Sequence, residues 1–236
     1  MKNFGFIRFA GSGLCNSLYV YARAALLAHE HNLKLITPAW LSFDPAQWKQ
    51  WNRDKRTYIG LFKNLDVSGV KKLWLLTSGK IVREENLTDW ENSHAEVVEV
   101  FHMRGFGPIM GHSEFVKDFL LKAVNPKHLK SVDAFDFTDK IAVHVRLGDY
   151  GSSSLPISYY KGIVEQVHAA KPSHRFLLFS DGRESELKEL LDLPYVERAF
   201  FGSSISDIFA ISRCRALIGS YSTFSDWGGT WDRCRA

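Results

Sequence analysis

Short apolar segments alternate with amphipathic segments in the first forty residues of the chain. Residues 4–10 are apolar and aromatic and predict a strand, which the glycine-rich residues 11–13 interrupt. Residues 14–31 carry apolar side chains three or four positions apart, as on one face of a helix. Residues 33–37 predict a second short strand. A strand, a glycine turn, a helix and a strand in this order are typical of α/β proteins.

The pattern is weaker between residues 38 and 135. We predict a strand at residues 73–77, another at 96–101 and a helix at 114–124. Several tryptophans lie among charged residues here: Trp48, Trp51, Trp74 and Trp90. Such rings either stack on sugars or pack in the core, and core packing is the commoner outcome for a single tryptophan.

From residue 140 onward, strands and helices alternate regularly. The predicted strands are residues 141–145, 175–179, 196–200 and 216–218. The predicted helices are residues 156–170, 184–191 and 204–212. This alternation indicates a doubly wound parallel sheet. We therefore predict an α/β fold with two parallel-sheet halves, residues 1–135 and 136–236.

The composition is that of an ordinary globular protein. Of the 236 residues, 45% are hydrophobic and 24% are charged, which excludes a disordered chain. No apolar stretch approaches the ~20 residues that a membrane helix needs. The net charge of +4 suits an anionic small molecule, an acidic membrane surface or nucleic acid about equally. Because the chain has no block of five or more Lys and Arg residues, we expect no nucleic-acid partner.

The cysteines and the first ten residues indicate the cellular compartment of the protein. Cys15, Cys214 and Cys234 are too few and too scattered for a disulfide framework or a zinc motif, so a reducing compartment is the default. Residues 1–10 lack the features of a signal peptide. We expect a cytoplasmic protein, with peripheral contact at the inner face of the membrane as an alternative.

Parallel sheets bind ligands beyond the carboxyl ends of their strands, so the residues that follow each strand are the candidates for a site. After the first strand, residues 11–16 begin like a dinucleotide-binding fingerprint, but Asn16 stands where its third glycine would be. Gly13 still lets backbone N–H groups approach an anion at a helix N-terminus. A tight turn without a ligand is an equally good interpretation.

The strand at residues 141–145 leads into the most informative segment. His144 and Arg146 alternate with apolar residues, so both project from one face at the end of the strand. A guanidinium there can donate two hydrogen bonds to a phosphate and stays charged at physiological pH. In the alternative interpretation, Arg146 pairs with Asp149 to hold the loop and His144 is a core histidine.

Two further strand ends carry polar groups. Asp181 could bind a guanine edge or a ribose hydroxyl, or it could cap the predicted helix 184–191. After the last strand, hydroxyl and N–H groups at the start of a helix could cradle a phosphate, or they could form an ordinary capping box. The residues concerned are Ser222, Thr223, Phe224 and Ser225.

In their order along the chain, these segments resemble the GDP-fucose-dependent fucosyltransferases, most closely the bacterial-type α-1,2-fucosyltransferases of glycosyltransferase family 11. Residues 11–16 resemble the family's Gly-Gly-Leu-Gly-Asn loop, and residues 144–150 its His-x-Arg-Arg-Gly-Asp-Tyr signature. Residues 222–228 resemble its Ser-Thr-Phe-Ser-Trp-Trp-Gly segment. Residues 155–160 and 179–181 match two intervening segments. The chain departs from these motifs at Cys15, Leu147 and Asp226.

The resemblance implies a GT-B fold, in which two Rossmann-like halves face each other across a cleft. The C-terminal half would bind the GDP-sugar, the N-terminal half would serve the acceptor side, and no metal or other cofactor would be needed. Because such enzymes usually run longer than 236 residues, we expect a minimal member of the family or a truncated chain.

The resemblance also assigns residues to the substrates. Arg146 would contact the β-phosphate of the donor, and Asp181 would lie near the guanine or the ribose. Gly13 and Asn16 would close over the fucose and the acceptor. The residues expected to line the pyrophosphate and the sugar are Ser222, Thr223, Phe224 and Ser225.

The predicted function is that of a glycosyltransferase. It would transfer L-fucose from GDP-fucose to a hydroxyl of a glycan acceptor, with inversion and without a metal ion, as a galactoside α-1,2-fucosyltransferase does. A carboxylate or a histidine would assist the attacking hydroxyl. Asp149 is the nearest candidate, unless it only orients Arg146, and His144 is the second. The alternatives are a glycosyltransferase that uses another nucleotide sugar and a nucleotide- or sugar-binding module without turnover.

Overall fold

The computed structural model of the chain describes residues 4–7, 13–40, 58–87, 89, 95–101, 107–148 and 154–229. The chain divides into two compact units, of which the first ends at Asn125 and the second continues from Pro126. The predicted boundary, between residues 135 and 136, lies farther along the chain. Among the described residues, no helix is both long and apolar enough to cross a membrane.

The first unit contains a four-stranded parallel sheet with the strand order β2-β1-β4-β3. Its strands are β1 (Phe4–Ile7), β2 (Lys34–Leu35), β3 (Ile81–Arg83) and β4 (Val97–Val100). Its helices are α1 (Leu14–Glu30), α2 (Gly69–Ser78) and α3 (Ser113–Ala123), and short 3₁₀ turns span Glu84–Asn86 and Gly107–Ile109. One core cluster of this unit consists of Phe4, Ile36, Val67, Leu75 and Val97.

Helix α1 is buried along almost its whole length, which fixes the position of the residues at its N-terminus. Small residues such as Ala22 and Ala24 bring it close to its neighbours, and both are almost completely buried. Tyr21 packs edge-on against Trp40 at 5.0 Å and against Phe62 at 5.9 Å between ring centroids. The predicted helix at residues 14–31 is therefore confirmed.

The predicted strand at residues 73–77 is wrong, because these residues belong to helix α2. Val70, Leu73 and Trp74 lie on the exposed face of α2, and of the helix residues only Leu75 is fully buried. A short apolar run looks like a buried strand when its neighbours are not known. Trp74 is 58% exposed, so it is not a core residue. Trp48, Trp51 and Trp90 lie outside the described residues.

The second unit contains another four-stranded parallel sheet, with the strand order β7-β6-β5-β8. Its strands are β5 (Lys140–Val145), β6 (Arg175–Ser180), β7 (Val196–Arg198) and β8 (Ala216–Ile218). Its helices are α4 (Lys130–Asp133), α5 (Ile157–Ala170), α6 (Lys188–Leu191), α7 (Ser204–Arg213) and α8 (Thr223–Gly229), and a 3₁₀ turn spans Pro126–His128.

Strand β5 lies at the point where the strand order reverses. β6 and β7 extend the sheet on one side of β5, whereas β8 pairs with its other edge. In open parallel sheets, such a switch point leaves a crevice beyond the carboxyl ends of the strands, and ligands bind there. The core below it is apolar, with Val143, Val145, Phe176 and Leu178 fully buried.

Most of the predicted elements of this unit are confirmed, but two are shorter than predicted. The predicted helix at residues 184–191 contains only the single turn of α6, because residues 183–187 form tighter turns in which Glu186 N–H donates to the carbonyl of Arg183 and Leu187 N–H donates to that of Glu184. The predicted strand at residues 196–200 ends at Arg198. Neither change alters the positions at which the other strands end.

Helix α7 carries a carboxyl group that makes stability depend on pH. Asp207 accepts a hydrogen bond of 2.7 Å from Phe201 N–H, yet desolvation raises its pKa from 3.8 to about 7. The folded state therefore binds the proton more tightly than the unfolded state, so this contribution is complete below pH 4 and is lost as the pH rises through 7. A shift of this size corresponds to roughly 4 kcal/mol, and partial exposure reduces the expected contribution to about 2 kcal/mol.

Asp207→Asn, which keeps the oxygen that accepts from Phe201, should therefore be more stable than the wild type at pH 8 and equally stable at pH 4. Urea unfolding at a series of pH values measures the difference. The comparison with a variant is needed because the lowered pKa of buried His144 makes the stability of the wild type change in the opposite direction between pH 4 and 6.5. A stability difference between Asp207→Asn and the wild type that does not vary with pH would contradict the raised pKa of Asp207.

Candidate active site

The carboxyl end of β5 brings two of the predicted site residues, Arg146 and Asp181, into direct contact. Arg146 lies just beyond the strand, and its Nη1 is 2.8 Å from Oδ2 of Asp181, which follows β6. Both side chains are 31% exposed, so the pair is accessible at the surface of the sheet edge. Asp149, the alternative partner of Arg146, lies outside the described residues.

Asp181 also holds the backbone that follows Arg146. Its Oδ1 accepts a hydrogen bond of 2.9 Å from Leu147 N–H, and its Oδ2 accepts one of 3.2 Å from Gly148 N–H. The interpretation of Asp181 as a cap of a helix at residues 184–191 is therefore wrong, since its carboxylate turns toward the loop after β5. A Cβ atom at Gly148 would lie 2.4 Å from Oδ2 of Asp181, so only glycine allows this approach.

Ser220 links the end of β5 to the loop after β8. Its hydroxyl donates to the carbonyl oxygen of His144 at 2.8 Å and accepts from Arg146 N–H at 2.8 Å. Because the only hydroxyl hydrogen of Ser220 is used in this way, the hydroxyl of Tyr160 is the donor in the 2.8 Å bond that joins it to Ser220. The backbone of Arg146 is therefore held from the side of β8, and its side chain from the side of β6.

His144 is a buried histidine that ties β5 to helix α8. It is 4% exposed, its Nδ1 shares a hydrogen bond of 2.7 Å with Oγ of Ser225, and its ring stacks on Phe224 with 4.8 Å between centroids. Burial, reinforced by the charge of Arg146, lowers the pKa of His144 to about 4. The imidazole is therefore neutral near pH 7.

The hydroxyl-rich segment forms the first turn of α8. Ser222 Oγ accepts a hydrogen bond of 3.3 Å from Ser225 N–H, so the capping interpretation of this segment is correct. Ser222 and Ser225 are buried, whereas Thr223 and Phe224 are half-buried. Ser225 and Phe224 both contact His144, so this segment lies at the same end of β5 as Arg146.

Gly13 and Asn16 lie at the N-terminus of α1 in the first unit. Gly13 precedes the helix, and its carbonyl oxygen accepts from Ser17 N–H. Asn16 is half-buried on the first turn. Gly11 and Ser12 lie outside the described residues. The described residues contain no group of three or more His, Cys, Asp or Glu side chains that could hold a metal ion.

Sequence reasoning assigns no individual role to Ser220, Tyr160, Gly148 or Arg198. The first three lie in segments that the motifs or the hydroxyl pattern mark, but the pattern does not indicate which of their groups form bonds. Arg198 donates to the carbonyl oxygens of Ser180 and Gly182, which lie on either side of Asp181. This contact joins β7 to the end of β6 and the loop after it, 16 to 18 residues away in the chain, so no local pattern indicates it.

Comparison with known families identifies the chain. The sequence profile of Glycosyl transferase family 11 matches residues 89–230, which is more than half of the chain and includes the segments after β5, β6 and β8. The chain belongs to this family. The predicted resemblance to glycosyltransferase family 11 is thereby confirmed, and so is the prediction that the protein is a glycosyltransferase.

Solved structures of fucosyltransferases share the fold of this family 11 protein. NodZ α-1,6-fucosyltransferase co-crystallised with GDP has 16% identity and a TM-score of 0.64, with 97% of this chain and 92% of that chain covered. Fucosyltransferase NodZ from Bradyrhizobium has 16% identity and a TM-score of 0.65, with coverage of 97% and 93%. POFUT1 in complex with GDP has 12% identity and a TM-score of 0.55, with coverage of 97% and 94%.

These matches confirm the predicted α/β, GT-B-like fold of the family 11 chain, with one parallel sheet in each unit. At such low identity, they bear on the fold alone. A search of curated protein sequences found no match.

Proposed function

We propose that this family 11 protein transfers L-fucose from GDP-fucose to a hydroxyl of a glycan acceptor. The observation that supports this most is the position of Arg146, a partly exposed guanidinium at the switch point of a parallel sheet, beside the hydroxyl-rich start of α8. Among the structures with the same fold, NodZ was soaked with GDP-fucose and POFUT1 was crystallised with GDP. A guanidinium and backbone N–H groups suit a diphosphate.

In this proposal, the second unit binds the donor. Arg146 contacts the β-phosphate, and the start of α8 lines the pyrophosphate and the fucose. The first unit serves the acceptor side, and Gly13 and Asn16 are its proposed site residues. Support for this division comes from the contrast between the units, since the guanidinium and the hydroxyl-rich segment both lie in the second one.

The proposed reaction is a single displacement at the anomeric carbon. The acceptor oxygen forms a bond to this carbon while the bond to the β-phosphate oxygen breaks, and its electron pair leaves with GDP. Arg146 offsets the charge that develops on the leaving diphosphate. The proton of the acceptor hydroxyl passes to a base, for which we propose Asp149, because the buried, neutral His144 with a pKa of about 4 is a weak base that is already bonded to Ser225.

We propose an α-1,2 linkage to a galactoside and inversion at the anomeric carbon. The motif resemblance supports this linkage, whereas NodZ, which shares the fold, is an α-1,6-fucosyltransferase. Nuclear magnetic resonance of the purified product decides both points, because it gives the linked carbon and the anomeric configuration. A β-linked donor should yield an α-linked product. A 1,6-linked product would overturn the linkage and leave the donor assignment intact.

The donor assignment is tested by measuring GDP or UDP release from a panel of nucleotide sugars. With a galactoside acceptor present, GDP-fucose should be turned over at least about tenfold faster than GDP-mannose or UDP-sugars, and EDTA should not change the rate. Faster turnover of another sugar would favour the alternative donor. Binding of GDP, seen as a thermal shift, with no release from any donor would favour a binding module without turnover.

We also propose that the protein works in the cytoplasm, with peripheral contact at the inner face of the membrane as the alternative. The chain has three cysteines, too few and too scattered for a disulfide framework, which suits a reducing compartment. Fractionation of cells that express the tagged chain distinguishes the two locations, because peripheral protein pellets with the membranes and is released by salt.

A further inference from the structure

We propose that Asp181 is a positioning residue that acts through Arg146 and does not itself bind the base or the ribose of the donor. This inference rests on the proposed function, since it assigns Arg146 to the leaving diphosphate. It replaces the role that the motif resemblance implies for Asp181, which was direct contact with the guanine or the ribose. The geometry of one carboxylate supports it.

Three hydrogen-bond donors from one segment converge on this carboxylate. Nη1 of Arg146 and N–H of Gly148 both approach Oδ2, at 2.8 and 3.2 Å, while N–H of Leu147 approaches Oδ1 at 2.9 Å. All three donors belong to consecutive residues after β5. The carboxylate of Asp181 therefore fixes both the backbone turn and the guanidinium, and these contacts occupy most of its acceptor capacity.

The packing around Asp181 leaves it little freedom to turn elsewhere. A Cβ atom at Gly148 would lie 2.4 Å from Oδ2, and one at Gly182 would lie 2.6 Å from Cδ1 of Leu147. Arg198 donates to the carbonyl oxygens on either side of Asp181, at 3.3 and 2.7 Å. Because the backbone on both sides of Asp181 is held, its carboxylate stays beside residues 146–148.

The role follows from the chemistry of a leaving diphosphate. A guanidinium lowers the barrier only if it already lies where negative charge develops, because reorientation during the reaction costs free energy. Asp181 holds one edge of the Arg146 fork, and Ser220 holds the Arg146 backbone at 2.8 Å. Removing the carboxylate also removes a negative charge near the phosphates, so binding of GDP should not weaken even though catalysis does.

Kinetics of Asp181→Asn separate positioning from direct binding. The amide oxygen can still accept one backbone hydrogen bond, but the ion pair is lost. We expect turnover of GDP-fucose to fall about 10- to 100-fold while the Kd of GDP stays within about threefold of the wild type. A Kd raised more than tenfold with normal turnover would mean that Asp181 contacts the base or the ribose, which would overturn the proposal.

Two further variants test whether the effect passes through Arg146. Gly148→Ala should produce the same loss of turnover with retained GDP affinity, because its methyl group must displace the Asp181 carboxylate. In an Arg146→Lys background, Asp181→Asn should cost no more than about threefold further. If the falls in turnover of the two single variants multiply in the double variant, Asp181 acts independently of Arg146.

The matched control is Asp192→Asn. It removes an exposed carboxylate that, among the described residues, pairs only with Lys188, and it should leave turnover unchanged.

A measurement on the protein without GDP-fucose tests this proposal independently of the proposed function. In the free protein, the guanidinium signals of Arg146, assigned by their loss in Arg146→Lys, should show slow rotation in nuclear magnetic resonance spectra. Asp181→Asn should remove this slow rotation, and an unchanged signal would overturn the proposal. If the wild type releases no GDP from GDP-fucose, the proposed function fails, and the guanidinium signals still decide whether Asp181 holds Arg146.

Discussion

Replacing Arg146 by alanine should lower GDP release from GDP-fucose about 1,000-fold while the protein stays folded. The guanidinium is the group that we assign to the diphosphate, and the loss of one preorganised charge or donor at a leaving group costs this much or more. Folding should be nearly unaffected because the ion pair with Asp181 is 31% exposed at both side chains, and exposed pairs contribute at most about 1 kcal/mol. Steady-state kinetics and a thermal melt of the same samples measure the two effects.

The matched control for Arg146→Ala is Arg175→Ala. Arg175 begins β6 and is exposed at the opposite end of the same strands, so the substitution removes the same charge and the same volume far from the proposed site. Its turnover should equal that of the wild type. More than about a tenth of the wild-type rate in Arg146→Ala would refute the role of Arg146 in the leaving step.

The largest effect on stability is expected for Trp227→Ala. Trp227 lies on α8 and is 0% exposed, and it heads the largest fully buried side chains. Removing such a side chain from a close-packed interior costs about 3–5 kcal/mol, because the cavity closes only in part. The next residue, Gly228, shows how closely α8 packs on α7, since a Cβ there would lie 2.4 Å from Cγ2 of Ile211. Urea unfolding followed by far-ultraviolet circular dichroism gives the free energy of unfolding.

Trp74→Ala is the control for this stability measurement, because it removes the same atoms from a different environment. Trp74 lies on α2 with 58% of its surface exposed, so its loss should cost less than about 1 kcal/mol. Circular dichroism is used because both variants change the tryptophan fluorescence. If the two variants lose similar amounts of unfolding free energy, burial of the tryptophan does not determine the loss.

The candidate site could be located from the sequence, but its contacts could not. A parallel sheet presents the residues after its strands along one edge, so His144, Arg146, Asp181 and the start of α8 could be placed there from strand positions alone. The partners of these residues depend on the strand order, which local patterns do not specify. Asp181 was expected near a ligand or a helix N-terminus, yet β6 lies beside β5 and brings it to Arg146.

The elements that sequence reasoning mistook lie where burial does not follow from the local pattern. Residues 73–77 read as a strand because four apolar residues are consecutive, but α2 buries only Leu75 and exposes Leu73 and Trp74. Strand β3 was missed because its three residues are too few to show a period. In both cases, the choice depends on contacts with distant residues, as in the pairing of Ile81 with Val97.

Local sequence patterns predict the α/β class, most strands of the second unit, the family motifs and the place of Arg146. These features depend on period, composition and motif order, which are properties of neighbouring residues. The three-dimensional packing, in contrast, shows that Asp181 holds the loop after β5, that Ser220 joins two strand ends, and that His144 is buried and neutral. Several of these hydrogen bonds and ion pairs join residues more than 30 positions apart in the chain, such as Arg146 and Asp181.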